Sequence, residues 1–178
     1  MTKQIKLPMT NEQARQLTAG ERVLLTGTMY TARDAAHKRI SEEVNSGQNP
    51  PIDLQNVAIY YAGPAPAKPG QIIGSCGPTT SGRMDAYAPW MMQQGQTVMI
   101  GKGLRNDAVI EAMKIYGSVY LTAIGGAGAL LSKCVTAMEC VAYEEFGAEA
   151  IYRLEVKDFP TIVTIDSMGN NLYIRDTE

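Results

Sequence analysis

The residues best suited to chemistry lie in one stretch, Gly74-Ser75-Cys76-Gly77-Pro78-Thr79-Thr80-Ser81-Gly82-Arg83-Met84-Asp85. Its glycines free the backbone for tight turns and close approach, and Pro78 stiffens the middle. A capped turn would account for glycine and proline. It would not call for four hydroxyls (Ser75, Thr79, Thr80, Ser81), a guanidinium and a carboxylate in the same stretch. Successive N–H groups and hydroxyls at a helix start, backed by Arg83, make a site for a small anion such as a carboxylate. Two further cations stand in comparable places. Arg33 falls at the start of an expected helix, beside the positive end of the helix dipole, where it gains nothing locally. It either points at an anion or lays its stem along the surface with its head in solvent. Lys102 stands between Gly101 and Gly103 at a strand end, as a mobile charge near exposed N–H groups or as a plain turn lysine. Arg33, Thr79, Thr80, Arg83 and Lys102 are thus a positive, hydroxyl-rich set. Arginine grips carboxylates bidentately, and a dicarboxylate would use two arginines.

Other chemistries find little support. Cys134 and Cys140 have five residues between them and Cys76 is remote, so no metal-ligand spacing stands out, and an iron–sulfur cluster held wholly by this chain is weakly supported. The single histidine, His37, would have to serve any Ser-His-Asp system, and no nucleophile elbow is present. Gly125-Gly126-Ala127-Gly128 lacks the ending of a phosphate loop and the flanks of a dinucleotide fingerprint; close backbone packing is the better reason for its glycines. A net charge of −2 with no basic block argues against nucleic acid. No apolar run approaches the about 20 residues of a membrane span, and the first residues are unlike a secretory leader. Three irregularly spaced cysteines suit the reducing cytoplasm.

The elements that must carry these residues can be read from periodicity and punctuation. With 178 residues, 45% of them hydrophobic, the chain can build one domain with a sizeable core. Residues 4–7 alternate and predict a strand. Thr10 and Gln13 have capping-box spacing for a short helix that stops at Gly20. Residues 22–30 are rich in β-formers and read as a buried strand. Thr31 is placed to cap a helix over 32–45, with Asp34 complementing its dipole. On that helix Arg33, Ala36, His37, Ile40 and Val44 share a face that is charged first and apolar after. Residues 57–61 predict a strand, followed by a rigid loop over 63–70. Residues 84–94 read as a helix interrupted at Pro89, 97–100 as a strand, and 107–116 as a helix capped by Asn106. Stretches 119–124, 140–143, 150–156, 161–165 and 171–174 read as strands, with a turn at 167–170. The expected total is eight or nine strands and four helices in mixed order. A β-rich last third does not suit a strictly alternating doubly wound fold. An α/β layered domain with a mixed sheet fits, as do two small sheets with helices on one side.

Five segments then occur in a familiar order, with Gly27-Thr28 just before the first of them. They are Tyr30-Thr31-Ala32-Arg33-Asp34-Ala35-Ala36-His37, Tyr61-Ala62-Gly63-Pro64, Gly77-Pro78-Thr79-Thr80-Ser81-Gly82-Arg83-Met84-Asp85, Gly101-Lys102-Gly103, and Gly125-Gly126-Ala127-Gly128-Ala129-Leu130. Together they resemble the β subunit of L(+)-tartrate dehydratase, equivalent to the C-terminal domain of class I, iron–sulfur-dependent fumarate hydratase. The likeness runs from about Gly20 to Tyr173, and the string from Gly77 to Asp85 is its specific part. It implies a swivelling β/β/α domain and a hydro-lyase reaction on a small dicarboxylate, fumarate and L-malate or L-tartrate. It also implies an α subunit, doubled with this chain into a heterotetramer. A 4Fe-4S cluster is implied to sit on that α subunit, with Cys76, Cys134 and Cys140 not among its ligands. The implied roles are proton transfer at a substrate carbon for Thr79, and binding of substrate carboxylate and hydroxyl groups for Arg33, Arg83 and Lys102, with Thr80 beside them. Alone, the chain would be half a site. A rival reading is a non-catalytic anion-binding or regulatory module, since fold does not fix function.

Overall fold

The computed structural model describes residues 2–124 and 128–174. Its seven strands form one mixed sheet that curls until it meets itself. Strands β1 (Thr2–Leu7), β2 (Arg22–Thr31), β3 (Ala58–Tyr60), β4 (Val98–Gly101) and β5 (Val119–Ala123) run parallel in that order. Strand β7 (Ile151–Ile165) runs antiparallel and pairs with β5, with β6 (Val135–Ala142) and with β2. The ladder from Arg22↔Ile162 to Thr31↔Tyr152 closes β2, β3, β4, β5 and β7 into a ring. Closure removes the unpaired edges that would otherwise need protection, and leaves β1 and β6 at the margins.

The period-2 alternation of the strands divides the core in two. Ala58, Tyr60, Val98, Ile100, Val119 and Leu121 point into the ring, where they meet Leu154, Val156, Phe159 and Val163 of β7. Ile59, Met99 and Tyr120 point outward and are covered by helices α2 (Asp34–Asn45), α3 (Ala88–Gln93) and α4 (Asp107–Tyr116). Burial on both faces explains why β3 and β4 read as unbroken apolar runs. Each such aliphatic side chain taken fully from water contributes about 1.5–3 kcal/mol. The result is a layered α/β domain with a mixed sheet, as the sequence predicts. Among the described residues no helix is long and apolar enough to cross a membrane.

Several expected boundaries move, each for a local reason. The capping box at Thr10 and Gln13 forms, but the helix it starts, α1, is only Asn11–Ala14. Thr31 does not cap α2. It ends β2, where its hydroxyl accepts from the Tyr152 N–H at 3.3 Å. The Ala32 N–H is still bonded to the Tyr60 carbonyl at 3.1 Å, so helical geometry waits until after Arg33, which becomes the N-cap. Pro89 does not interrupt a helix; it lies in the first turn of α3, where a missing N–H costs nothing. The segment before it is a separate 3-10 turn, Ser81–Met84. The two strands expected over 150–165 are one, β7, with its register shift opposite Leu25 and Gly27. Strand β6 starts at Val135 rather than at 140. Residues 171–174 contribute a single bridge, Ile165↔Asn171, and not a strand. The segment 125–127 lies outside the described residues. Its neighbour Gly128, which opens α5 (Gly128–Ser132), bears out the packing reading: a Cβ there would lie 2.5 Å from the Gly77 nitrogen.

Candidate active site

The parallel strands deliver all five candidate residues to one end of the sheet, beyond their C-terminal ends, where open α/β sheets place their ligands. Arg33 follows β2. Residues 61–64 follow β3, and Lys102 follows β4. The loop over 74–85 is laid across them by its backbone. The Thr79 N–H donates to the Tyr61 carbonyl at 2.7 Å. Thr80 pairs with Lys102 in a parallel bridge, and the Ser81 N–H donates to the Lys102 carbonyl at 2.9 Å. Arg33 runs past Gly63, where an added Cβ would lie 3.3 Å from its Cδ and 3.0 Å from the Ala148 carbonyl oxygen. A side chain at Gly63 would press on the Arg33 stem and on the Ala148 carbonyl.

Thr80, Arg83 and Lys102 are exposed and Thr79 is half-buried. Among the described residues neither Arg83 nor Lys102 forms an ion pair. Arg33 is more enclosed. Its Nε stands 3.6 Å from a Glu149 carboxylate oxygen and 3.9 Å from one of Asp34, and hydrogen-bonds neither. Arg83 and Lys102, without ion pairs among the described residues, and Arg33, whose Nε hydrogen-bonds neither neighbouring carboxylate, thus share this end of the sheet with one half-buried hydroxyl. Such a face suits an anion with more than one carboxylate.

Beneath this face lies a buried network that sequence reasoning missed. The Arg105 guanidinium is fully enclosed. Its Nε donates to Asp85 Oδ1 at 2.7 Å, and a terminal nitrogen reaches the Tyr61 hydroxyl at 3.4 Å. Its Cζ lies over the rings of Tyr120 and Tyr61, 4.8 and 5.3 Å from their centroids. Burial opposes its charge, and Tyr61, Asp85 and Tyr120 outweigh that, holding it protonated. The other Asp85 oxygen accepts the Asn106 N–H at 2.8 Å, at the start of α4. Asp85 is thus committed to the scaffold. Tyr120 donates its one proton to the Gly103 carbonyl at 2.9 Å, so Ser81 is the donor in the 2.8 Å contact between their hydroxyls. These bonds fix both sides of Lys102. A signal was available: Arg105 stands just before the Asn106 cap, at the positive end of α4, the same unfavourable placement that singles out Arg33.

His37, on the inward face of α2, is fully buried, and burial pushes its pKa down to about 4. Its ring packs on Tyr61 and Tyr87.

The cysteines do not present a metal centre. Cys76 is buried, and burial pushes its thiol up to about 12. Cys134 is also raised, by burial and then Asp158, and Cys140 is exposed. Among the described residues no group of three His, Cys, Asp or Glu is placed to share a metal ion. What the described residues offer at the site is cationic. A cavity of about 780 Å³ among the described residues lies between β1 and β6 and touches none of the five residues. Its lining charges are of both signs and Glu155 already accepts from Thr28 at 2.7 Å, so the chemistry favours the strand ends over the larger volume.

A family model described as Fumarase C-terminus matches residues 1–175. Fumarate hydratase 2 of Leishmania major is 41% identical, over 91% of this chain and 29% of its own length. The class I aerobic fumarate hydratase of Escherichia coli K12 is 40% identical, over 90% of this chain and 30% of its own. A putative L(+)-tartrate dehydratase subunit beta of Methanocaldococcus jannaschii is 39% identical, over 93% of this chain and 88% of its own. The chain therefore spans about 30% of the fumarate hydratases and most of the subunit.

Proposed function

The chain belongs to the Fumarase C-terminus family, and from that premise we propose that it is the β subunit of a cytoplasmic hydro-lyase acting on fumarate and L-malate or on L-tartrate. It completes an active site with an α subunit, in a heterotetramer. The β-subunit reading follows the L(+)-tartrate dehydratase subunit beta, 39% identical to this chain. The single observation that supports the chemistry is the cationic end of the sheet, which Arg33, Arg83 and Lys102 share with the half-buried Thr79.

The reaction removes a proton from one carbon and a hydroxyl from its neighbour, and together these leave as water. Arg33 and Arg83 take the two carboxylates through their planar forks. Lys102 and Thr80 bind the remaining oxygens. Thr79 holds the proton that leaves or joins the carbon. As that proton leaves, negative charge builds beside a carboxylate, and the three cations stabilise it by several kcal/mol in a water-poor site. A threonine hydroxyl is a poor base at neutral pH, and the surrounding positive field is what lowers the cost of its deprotonation. A 4Fe-4S cluster on the α subunit, when bound, supplies Lewis-acid assistance to the departing hydroxyl.

The test is co-expression with the α subunit, anaerobic cluster reconstitution, and assay of fumarate, malate and tartrate. Turnover of one of these is expected. A well-formed complex that binds a dicarboxylate without turning it over would establish the rival anion-binding module instead.

A further inference from the structure

His37 is the only histidine in the sequence, and no step above uses it. Its Nδ1 lies 2.7 Å from the Arg33 carbonyl oxygen, which the His37 backbone N–H also reaches at 3.0 Å. A carbonyl can only accept, so Nδ1 carries the proton. Nε2 is then a bare acceptor, buried and without a hydrogen-bond partner among the described residues. The ring stands edge-on to Tyr61 with centroids 5.6 Å apart, and tilted against Tyr87 at 6.1 Å. The Tyr61 carbonyl in turn holds the Thr79 N–H at 2.7 Å. One side chain therefore joins the segment that presents Arg33 to the segment that presents Thr79.

We propose that His37 is a positioning residue of this site, a neutral Nδ1–H imidazole that fixes the Arg33 peptide against the Tyr61–Thr79 segment. Arg33 caps α2 with no side-chain hydrogen bond of its own, so the two bonds from His37 are what orient its carbonyl. The environment keeps the ring neutral. Arg33 and Asp34 face it from α2, Tyr61 from the end of β3, Tyr87 from the start of α3, and Arg105 from the approach to α4. Burial disfavours the charged ring first, and the Arg105 charge adds repulsion, while the Arg33 carbonyl and Asp34 oppose them and are outweighed. The functional part of this proposal rests on the hydro-lyase reading; the tautomer and the geometry do not.

One measurement needs only the ¹⁵N-labelled chain, whose lone histidine gives a single imidazole signal. The expected result is Nδ1 protonated and Nε2 bare, with no titration near the ordinary 6.5. An Nε2–H tautomer, or titration near that ordinary value, overturns the proposal. The second measurement uses the reconstituted complex with His37→Leu and His37→Asn, the latter keeping a donor at the Nδ1 position. His37→Leu is expected to raise KM for the dicarboxylate by about tenfold with a smaller change in kcat, as loss of one orienting hydrogen bond would. His37→Asn is expected to recover most of that loss. Equal KM values in all three complexes would overturn the positioning role, even with lowered melting points. Should His37→Leu not fold, parent-like KM in His37→Asn supports the proposal and loss of binding in it overturns it. An inactive parent complex would strike the hydro-lyase reading and leave the tautomer measurement to decide His37.

Discussion

Thr79 and Arg83 share one loop and have separate parts in the proposed reaction. Replacing Thr79 with Ala removes a hydroxyl and leaves every charge in place. If Thr79 moves the proton, kcat of the complex falls by ~10²–10⁴ while the dicarboxylate still binds. A Thr79→Ala complex within about tenfold of the parent kcat would return the loop to carboxylate binding alone. Arg83→Lys keeps the charge and loses the planar fork, so KM should rise, with kcat lowered as well if the contact tightens in the transition state. His37 carries a prediction about pH. Its folded pKa is lowered from 6.5 to about 4, chiefly by burial. The unfolded chain therefore binds more protons between those values, and the stability that His37 contributes is present above 6.5 and is lost as pH falls towards 4. The loss is on the order of 3 kcal/mol for a fully buried group. Denaturant melts of the chain at neutral and acid pH should show it, and His37→Asn should flatten that part of the profile. An unchanged profile in the variant would place the acid sensitivity elsewhere.

At the scale of elements, the site depends on how the 3-10 turn Ser81–Met84 is tied to the start of α4. Asp85 makes that tie, through Arg105 and through the Asn106 N–H. The Arg105 side chain has no exposed surface and that of Asp85 only 10%. Removing the carboxylate leaves a buried cation without its partner, at a cost of about 3–5 kcal/mol. Asp85→Ala should therefore shift the denaturation midpoint far more than an exposed substitution such as Glu111→Ala on the same helix α4. The comparison in urea decides it, and equal small shifts would mean that the pair is dispensable. Glycine does similar work at Gly101, where a Cβ would overlap the Ser81 hydroxyl and lie 2.8 Å from the Tyr61 ring. The strand end must be bare for the loop to lie on it.

For the whole molecule, the cationic end of the sheet is open and has apolar groups beside it. Leu104 is 68% exposed next to Lys102, and Leu130 is 55% exposed on the helix whose first residue packs against Gly77. Exposed aliphatic groups around uncommitted charges suit a surface that another subunit covers. The purified chain alone is expected to be colourless and inactive, without stoichiometric iron. Mixed with the α subunit it should form a 1:1 complex, doubled into a heterotetramer, by size exclusion with light scattering. Visible cluster absorbance from this chain alone would contradict the first expectation. A mixture that stays monomeric at micromolar concentration would contradict the second.

The sequence by itself determined what could be read from local pattern and residue type. Alternation and β-forming residues located β1 and β2, and apolar runs located β3, β4 and β5, within a few residues; for β3 and β4, burial on both faces leaves no polar positions to blur the run. The capping residues Thr10 and Asn106 act where their spacing predicts. The density of hydroxyls and arginine in one glycine-rich loop, and the two cations at helix or strand ends, named all five residues that the structure gathers at one end of the sheet. Tertiary structure decided the rest, wherever a partner distant in sequence sets the outcome. The Tyr60 carbonyl delays α2 and makes Arg33 its cap. The ladder to β2 turns two expected strands into the single β7 and closes the ring. Asp85 became scaffold because Arg105, 20 residues away, needed a counter-ion in the core. Glu149 meets Arg33 only because a turn from far along the chain packs beside the same strand end. Such contacts leave no periodic trace, since each depends on where the chain returns and not on its neighbours.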